Sequence, residues 1–231
     1  VRRWDLRSKT PSKNYKVGVN AYSLSLSPDG GRALLRYTNN KIGIWTIGET
    51  KERTLDPVSA YGVVEFHPDG KRVATAIGNG PIEIRTVGKT EPSLKLDGLK
   101  DSFVISMAFT PDGSKLLAGT SESIAAMWSL DNPAEPMWQR DGLSDGVDVA
   151  FSRDGSQFIL VSEALEVEIW RVGDVEPIQT LKLDRIQTVG AIAFAPDGLS
   201  YAIAFANGEI LLFKVGETSP FRTLKTLSQE L

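Results

Sequence analysis

Side chains able to do acid–base chemistry are few in this chain of 231 residues. His67 is the only histidine. It stands beside a Pro-Asp-Gly turn, where a lone histidine is typical of a solvated surface group rather than of a base or ligand. The carboxylates Glu163, Glu166 and Glu168 are spaced closely enough to imitate a catalytic pair, but their strand-edge position favours solvated charge. We therefore predict no catalytic residue.

Metal and cofactor sites are also not expected. The chain contains no cysteine, which excludes disulfides, thiolate metal sites and cysteine nucleophiles. The recurring Asp-Gly pairs lie far apart and lack the acidic loop pattern of a calcium site. Gly78-Asn79-Gly80 does not open a helix, so it does not have the context of a phosphate-binding loop.

One short segment is repeated five times and organises the sequence. Its copies end on Asp29-Gly30, Asp69-Gly70, Asp112-Gly113, Asp154-Gly155 and Asp197-Gly198. In each copy apolar residues stand five and three positions before the aspartate, the period of two that marks one face of a strand. Proline, aspartate and glycine then favour a turn, because proline presets φ, aspartate bonds backbone amides and glycine accepts positive φ. The aspartates step by 40, 43, 42 and 43 residues.

A second series of residues has matching intervals. The predicted third strand of each repeat ends on Trp45, Arg85, Trp128, Trp170 or Phe213, again at steps of 40, 43, 42 and 43 residues. Four predicted strands per repeat of about forty residues are the signature of a β-propeller blade. The sequence thus predicts an all-β fold, a β-propeller of four-stranded antiparallel blades. We expect five complete blades and a half blade at the N-terminus.

The chain resembles the WD-repeat β-propeller family over essentially its whole length. The resemblance is carried by Ser27-Pro28-Asp29-Gly30 and its counterparts, by Trp4-Asp5, and by the tryptophans that close third strands. It implies a ring of blades that binds proteins or peptides, commonly as a scaffold or as a regulatory region of a longer chain. It implies no cofactor and no catalytic site.

The sequence also departs from the family pattern. Trp-Asp occurs once, and the Gly-His step that should precede each turn is absent, so the family's buried histidine–aspartate–tryptophan network cannot form. We therefore expect apolar packing to stabilise the blades. The residues predicted to pack with the tryptophan positions are Leu26, Phe66, Phe109, Phe151 and Phe194.

The repeat boundaries divide residues 1–231 into a partial blade at 1–17 and complete blades at 18–56, 57–97, 98–141, 142–184 and 185–227. In the partial blade we expect a strand near Val1–Leu6, a loop over Arg7–Asn14 and an edge strand around Tyr15–Val17. Because the two ends do not complement each other in one blade, we expect a fragment of a larger propeller.

Charge leaves two interpretations of the partner open. The net charge of −3 does not indicate nucleic acid, and no apolar run reaches the roughly 18 residues of a membrane helix. Residues 131–176 contain eleven acidic and three basic residues, which is either chance clustering on a solvated surface or an acidic patch for a basic protein.

Protein binding is expected on the channel-side face, where the loops entering first strands meet the turns between second and third strands. Aromatic residues there are either binding anchors or packing groups between blades. The candidates are Tyr22, Tyr61, Lys100, Phe103, Glu122, Asp145, Asp148, Glu163 and Arg185. We expect a non-catalytic, cytoplasmic scaffold; the alternative is a periplasmic-type enzyme or ligand-binding propeller, disfavoured by the tryptophan positions and the lack of a visible signal peptide.

Overall fold

The computed structural model describes residues 2–5, 10–14, 21–37, 41–47, 49, 52–55, 63–76, 78–89, 91–99, 101–144, 146–184 and 187–225. These residues form strands, turns and loops, with five four-stranded antiparallel sheets and one two-stranded sheet. Each four-stranded sheet is one blade, and its strands pair in chain order. The predicted all-β propeller is therefore confirmed.

The strands follow the predicted positions closely. Blade 1 contains β3 (Ala21–Leu26), β4 (Arg32–Tyr37), β5 (Ile42–Thr46) and β6 (Glu52–Leu55). Blade 2 contains β7 (Val64–Phe66), β8 (Arg72–Ala76), β9 (Ile82–Thr86) and β10 (Pro92–Leu96). Blade 3 contains β11 (Val104–Phe109), β12 (Lys115–Thr120), β13 (Ala125–Ser129) and β14 (Trp138–Arg140).

The last two blades repeat this order. Blade 4 contains β15 (Val147–Phe151), β16 (Gln157–Ser162), β17 (Glu166–Arg171) and β18 (Gln179–Lys182). Blade 5 contains β19 (Val189–Phe194), β20 (Ser200–Phe205), β21 (Glu209–Lys214) and β22 (Arg222–Lys225). The first strands of consecutive blades contact one another, so they form the inner layer of the array.

The half blade differs from its prediction. It consists of β1 (Arg2–Asp5) and β2 (Thr10–Asn14), which pair antiparallel. The loop predicted over Arg7–Asn14 is therefore wrong in its second part, and the expected edge strand at Tyr15–Val17 lies outside the described residues. Pro11 argued for a loop, but a proline is tolerated in an edge strand where its missing N–H faces away from the ladder.

The core lies between the blades. Buried apolar residues of blades 2 and 3 form one cluster, which includes Ile84, Phe109 and Trp128. Similar clusters fill the gaps between blades 1 and 2, between blades 3 and 4, and between blades 4 and 5. Phe66 and Phe109 are buried as predicted, while Phe151 and Phe194 are partly buried in these clusters.

Leu26 is an exception to the predicted core. Its side chain is 53% exposed. In the other blades the equivalent residue packs on the blade before it, as Phe66 packs on Leu34 and Ile44 of blade 1. Among the described residues, the sheet that precedes blade 1 has two strands instead of four, so Leu26 lacks the apolar surface that covers the equivalent residues.

The repeated turns are held by a hydroxyl and a carboxylate that stand two residues apart. Thr110 Oγ1 donates to Asp112 Oδ1 at 2.6 Å and accepts from the Lys115 N–H at 3.0 Å. Asp112 Oδ1 also accepts from the Ser114 N–H at 2.9 Å. These bonds to the ionised form lower the pKa of Asp112 to about 2, the Thr110 bond contributing most. The same pairs are formed by Ser27 with Asp29 and by Ser152 with Asp154.

In the second turn a histidine takes the place of the hydroxyl. His67 is 2% exposed, so the prediction of a solvated surface group is wrong. Its Nδ1 lies 3.0 Å from the Asp69 backbone nitrogen, and its Nε2 lies 3.0 Å both from Arg72 Nη2 and from the carbonyl oxygen of Gly113 in the next blade. The ring also meets Phe109 edge-on, with centroids 4.9 Å apart. His67 is therefore a packing group between blades 2 and 3.

Other hydrogen bonds hold the tryptophans in place of the histidine–aspartate–tryptophan network that the sequence lacks. Trp128 Nε1 donates to the Asp97 carbonyl oxygen at 2.8 Å, across the gap between two blades. Trp170 Nε1 donates to Glu168 Oε2 at 3.0 Å, and Arg140 of blade 3 donates to the other oxygen of that carboxylate at 2.8 Å. Glu168 is 5% exposed, so its predicted role as a solvated charge is also wrong; burial between a cation and an indole explains its position.

Candidate interaction surface

Loops that enter the first strands bind the turns between second and third strands of the same blade. Backbone hydrogen bonds of this type join Ser121 N to Phe103 O at 2.9 Å, Glu163 N to Gly146 O at 3.0 Å and Ala206 N to Thr188 O at 3.0 Å. The two kinds of connection therefore share one end of each blade, opposite the Pro-Asp-Gly turns. We call this end the loop face.

A β-bulge on blade 3 places an apolar side chain at the loop face. Val104 pairs with Thr120 and Ser106 pairs with Gly119, which leaves Ile105 unpaired between them. Val104 is 3% exposed and packs toward blade 2, whereas Ile105 is 37% exposed. An extra residue in one strand re-aims its side chain in this way.

Phe103 stands two residues before Ile105 and is 48% exposed. Its backbone N–H donates to Glu122 Oε2 at 2.8 Å, and Ser121 Oγ donates to the other oxygen of the Glu122 carboxylate at 2.7 Å. Glu122 therefore holds the loop that presents Phe103. With about half of its surface exposed, Phe103 is not fully packed between blades.

Two carboxylates of blade 4 lie beside this apolar pair. An added Cβ at Gly146 would stand 2.9 Å from Glu163 Oε1 and 3.1 Å from Ile105 Cδ1, so both side chains border Gly146. Asp148 is partly buried, and burial raises the pKa of its carboxyl group. The negative charge of the nearby Glu163 raises this pKa further, whereas a hydrogen bond from Ser106 lowers it. Ser106 Oγ also accepts from the Val149 N–H at 3.1 Å, so one serine holds the inner strands of blades 3 and 4 together.

We define the loop-face patch as Phe103, Ile105, Asp148 and Glu163. Of the predicted binding residues, Phe103 and Glu122 lie on blade 3, and Asp148 and Glu163 lie on the adjacent blade 4. Tyr22 lies at the bulge of β3, between Ala21 and Ser23. The remaining candidates, Tyr61, Lys100, Asp145 and Arg185, lie outside the described residues. Ile105 was not predicted, because the alternation of a strand gives no sign of an inserted residue.

The part of the chain that the structure describes contains no group of three or more histidine, cysteine, aspartate or glutamate side chains placed to hold a metal ion. Within the same ranges we also find no helix with the length and apolar character needed to traverse a bilayer.

Comparison with known proteins relates this geometry to a family. No protein-family model matches the sequence. WD repeat-containing protein SL1-17 of Schistosoma mansoni is 27% identical over 168 residues, which cover 70% of this chain and 53% of that protein. The chain thus spans about half the length of this curated relative, and its five sheets repeat at the WD-repeat interval. This architecture is similar to that of a WD-repeat propeller.

Proposed function

We propose that the protein is a non-catalytic scaffold that binds a basic protein or peptide segment at the loop-face patch. Phe103 and Ile105 supply apolar contact area, and Glu163 and Asp148 supply negative charge beside it. Aromatic residues dominate the binding energy of many interfaces, and acidic residues at their rim steer oppositely charged partners. The observation that supports the proposal best is the exposure of Phe103 and Ile105 next to two carboxylates.

The patch has a rigid support, which favours binding without a large loss of conformational entropy. Glu122 fixes the Phe103 backbone, Ser106 joins two inner strands, and the Glu163 turn is bonded to Gly146. A partner segment would therefore meet preformed side-chain positions on two adjacent blades. This arrangement suits a short extended segment with basic and apolar residues.

The test is selection of peptides from a displayed random library, followed by affinity measurement with the purified chain. We expect enrichment of peptides that combine lysine or arginine with an apolar residue. Phe103→Ala should weaken a selected peptide by about 2 kcal/mol, roughly thirtyfold, because an aromatic anchor is lost. Glu163→Lys should slow association and reduce its dependence on salt.

Matched controls come from the opposite side of the molecule. Phe221 is 51% exposed on blade 5, so Phe221→Ala removes the same side chain at similar exposure. Glu176 is exposed between β17 and β18, so Glu176→Lys repeats the charge reversal. If the selected peptides bind both Phe103→Ala and Glu163→Lys as tightly as they bind the unaltered chain, the binding site lies elsewhere.

A further inference from the structure

A cavity of about 420 Å³ opens at the other end of the inner strands, beside the Asp-Gly turns of blades 2, 3 and 4. Its volume falls in the range of small-molecule sites. The apolar part of its lining comes from Phe66, Met107, Phe109, Val149 and Phe151. Since β7, β11 and β15 run from the loop face to these turns, the cavity is separate from the loop-face patch.

The cavity exists because of the residues four positions before the turn aspartates. These residues are Glu65 in blade 2, Ala108 in blade 3 and Ala150 in blade 4, and all three line the cavity. The methyl group of Ala108 packs on the same cluster as Val149 and Phe151, which also line the cavity. Glu65 is the acidic group of the lining, and Arg153 stands at the exposed rim on blade 4.

The Glu65 carboxylate has little compensation for its burial. The Ser25 hydroxyl donates a hydrogen bond to it. The same hydroxyl oxygen accepts a hydrogen bond from the Phe66 N–H at 3.0 Å. Among the residues that the structure describes, no lysine, arginine or histidine forms an ion pair with Glu65. A carboxylate offers about four acceptor positions, so most of them remain for a donor in the cavity.

Desolvation by burial raises the pKa of Glu65 to about 7. A buried carboxyl group without a cation favours its neutral form, and a cation placed against it restores the charged form. Apolar contact for the rest of such a ligand is available from the phenylalanines that border the cavity on blades 2, 3 and 4. The electrostatics of the recess are therefore complementary to a positively charged group on an apolar body.

We infer that this cavity binds a small organic cation, a protonated amine on an aromatic or aliphatic body, with its ammonium group at Glu65. The body packs against Phe109 and Phe151, beside the methyl group of Ala108. Arg153 lies at the exposed rim, where water and salt screen its charge.

Methionine methyl NMR tests this directly on the full chain with phenethylammonium as the probe. The chain contains three methionines, and Met107 lines the cavity. Met127 is buried in the cluster between blades 3 and 4, and Met137 is 52% exposed away from the cavity. We expect saturable shifts of the Met107 methyl signal while the Met137 signal stays constant.

Two variants and one neutral analogue complete the experiment. Glu65→Gln should weaken binding about ten- to a hundredfold, the loss expected for one charge-assisted hydrogen bond. Ala108→Leu should abolish binding by filling the recess, while Glu65 stays in place. 2-Phenylethanol, which has the same body without the charge, should bind as weakly as phenethylammonium binds to Glu65→Gln.

Three outcomes would overturn the inference. The first is the absence of a saturable Met107 shift with phenethylammonium at millimolar concentration. The second is equal affinity for the unaltered chain and Glu65→Gln, with both proteins folded by circular dichroism. The third is equal affinity for the amine and the alcohol, which would assign the cavity to neutral apolar ligands.

Discussion

Glu65→Gln should change how the stability of the protein depends on pH. Burial raises the pKa of Glu65 from 4.5 to about 7. The folded state therefore holds a proton between these pH values that the unfolded state releases, and the free energy of unfolding must fall as pH rises from about 4.5 to about 7. A pKa difference of about 2.5 corresponds to about 3 kcal/mol. This cost is absent below pH 4.5 and complete above pH 7.

Glutamine has nearly the same shape and carries no charge, so the variant should avoid the cost. We expect Glu65→Gln to be about 3 kcal/mol more stable than the unaltered chain at pH 8 and equally stable at pH 4. Other shifted carboxyls, such as Asp148, are common to both proteins and cancel in the difference. The measurement is urea unfolding by tryptophan fluorescence at several pH values.

The control is Glu176→Gln, which removes an exposed carboxylate and should leave the stability difference near zero at every pH. A constant difference between Glu65→Gln and the unaltered chain from pH 4 to pH 8 would refute the reasoning. It would mean that the Glu65 carboxyl is equally solvated in the folded and unfolded states.

Three further predictions concern the blades. Phe109→Ala should lower the free energy of unfolding by about 3–5 kcal/mol, because it opens a cavity in the cluster between blades 2 and 3; a loss below about 1 kcal/mol in urea unfolding would contradict its core position. Gly113→Ala should be far more destabilising than Gly30→Ala in thermal unfolding, because both glycines have positive φ but only a Cβ at Gly113 would clash with the His67 ring. Equal losses would show that the ring moves freely. Asp112→Asn should cost about 1 kcal/mol at pH 7, and the difference should shrink as the pH falls from 3.8 through about 2, because the carboxylate with its lowered pKa is stabilising only while it is ionised; a difference that stays constant from pH 7 to pH 2 would contradict this.

The repeat pattern was sufficient to predict the sheets. Alternation and turn chemistry are local, so first strands such as Val104–Phe109 and Val147–Phe151 contain the apolar residues five and three positions before the turn aspartate, as predicted. The hydrogen bonds of the turn aspartates to backbone amides were predictable for the same reason. They involve residues only two or three positions apart, whose relative placement the turn itself determines.

Burial between blades could not be predicted in the same way. His67 and Glu168 look polar and exposed in the sequence, but each is covered by a residue of the neighbouring blade, Gly113 and Arg140 respectively. The error at Leu26 is the opposite one, because its position in the repeat predicts a buried side chain and the structure leaves it exposed. Whether an inner-strand residue is covered depends on the sheet across the gap, which the residue's own segment does not encode.

The candidate site was predicted in part. Loop position placed Phe103, Asp148 and Glu163 at one end of the blades, whereas Ile105 depends on a bulge that leaves no trace in the alternation. Glu65 was missed because a glutamate in a first strand has no distinctive neighbours in sequence. Its significance arises only from the alanines in the next two blades.

The hydroxyl–carboxylate pairs of the turns also bear on how the chain folds. Thr110 and Asp112 are separated by a single residue, so their bond forms without closing a long loop. We expect contacts this local to form early in folding, before the hairpins they join pack on neighbouring blades. With similar pairs at Ser27 and Ser152, a repeat chain of this kind has several segments at which folding can begin.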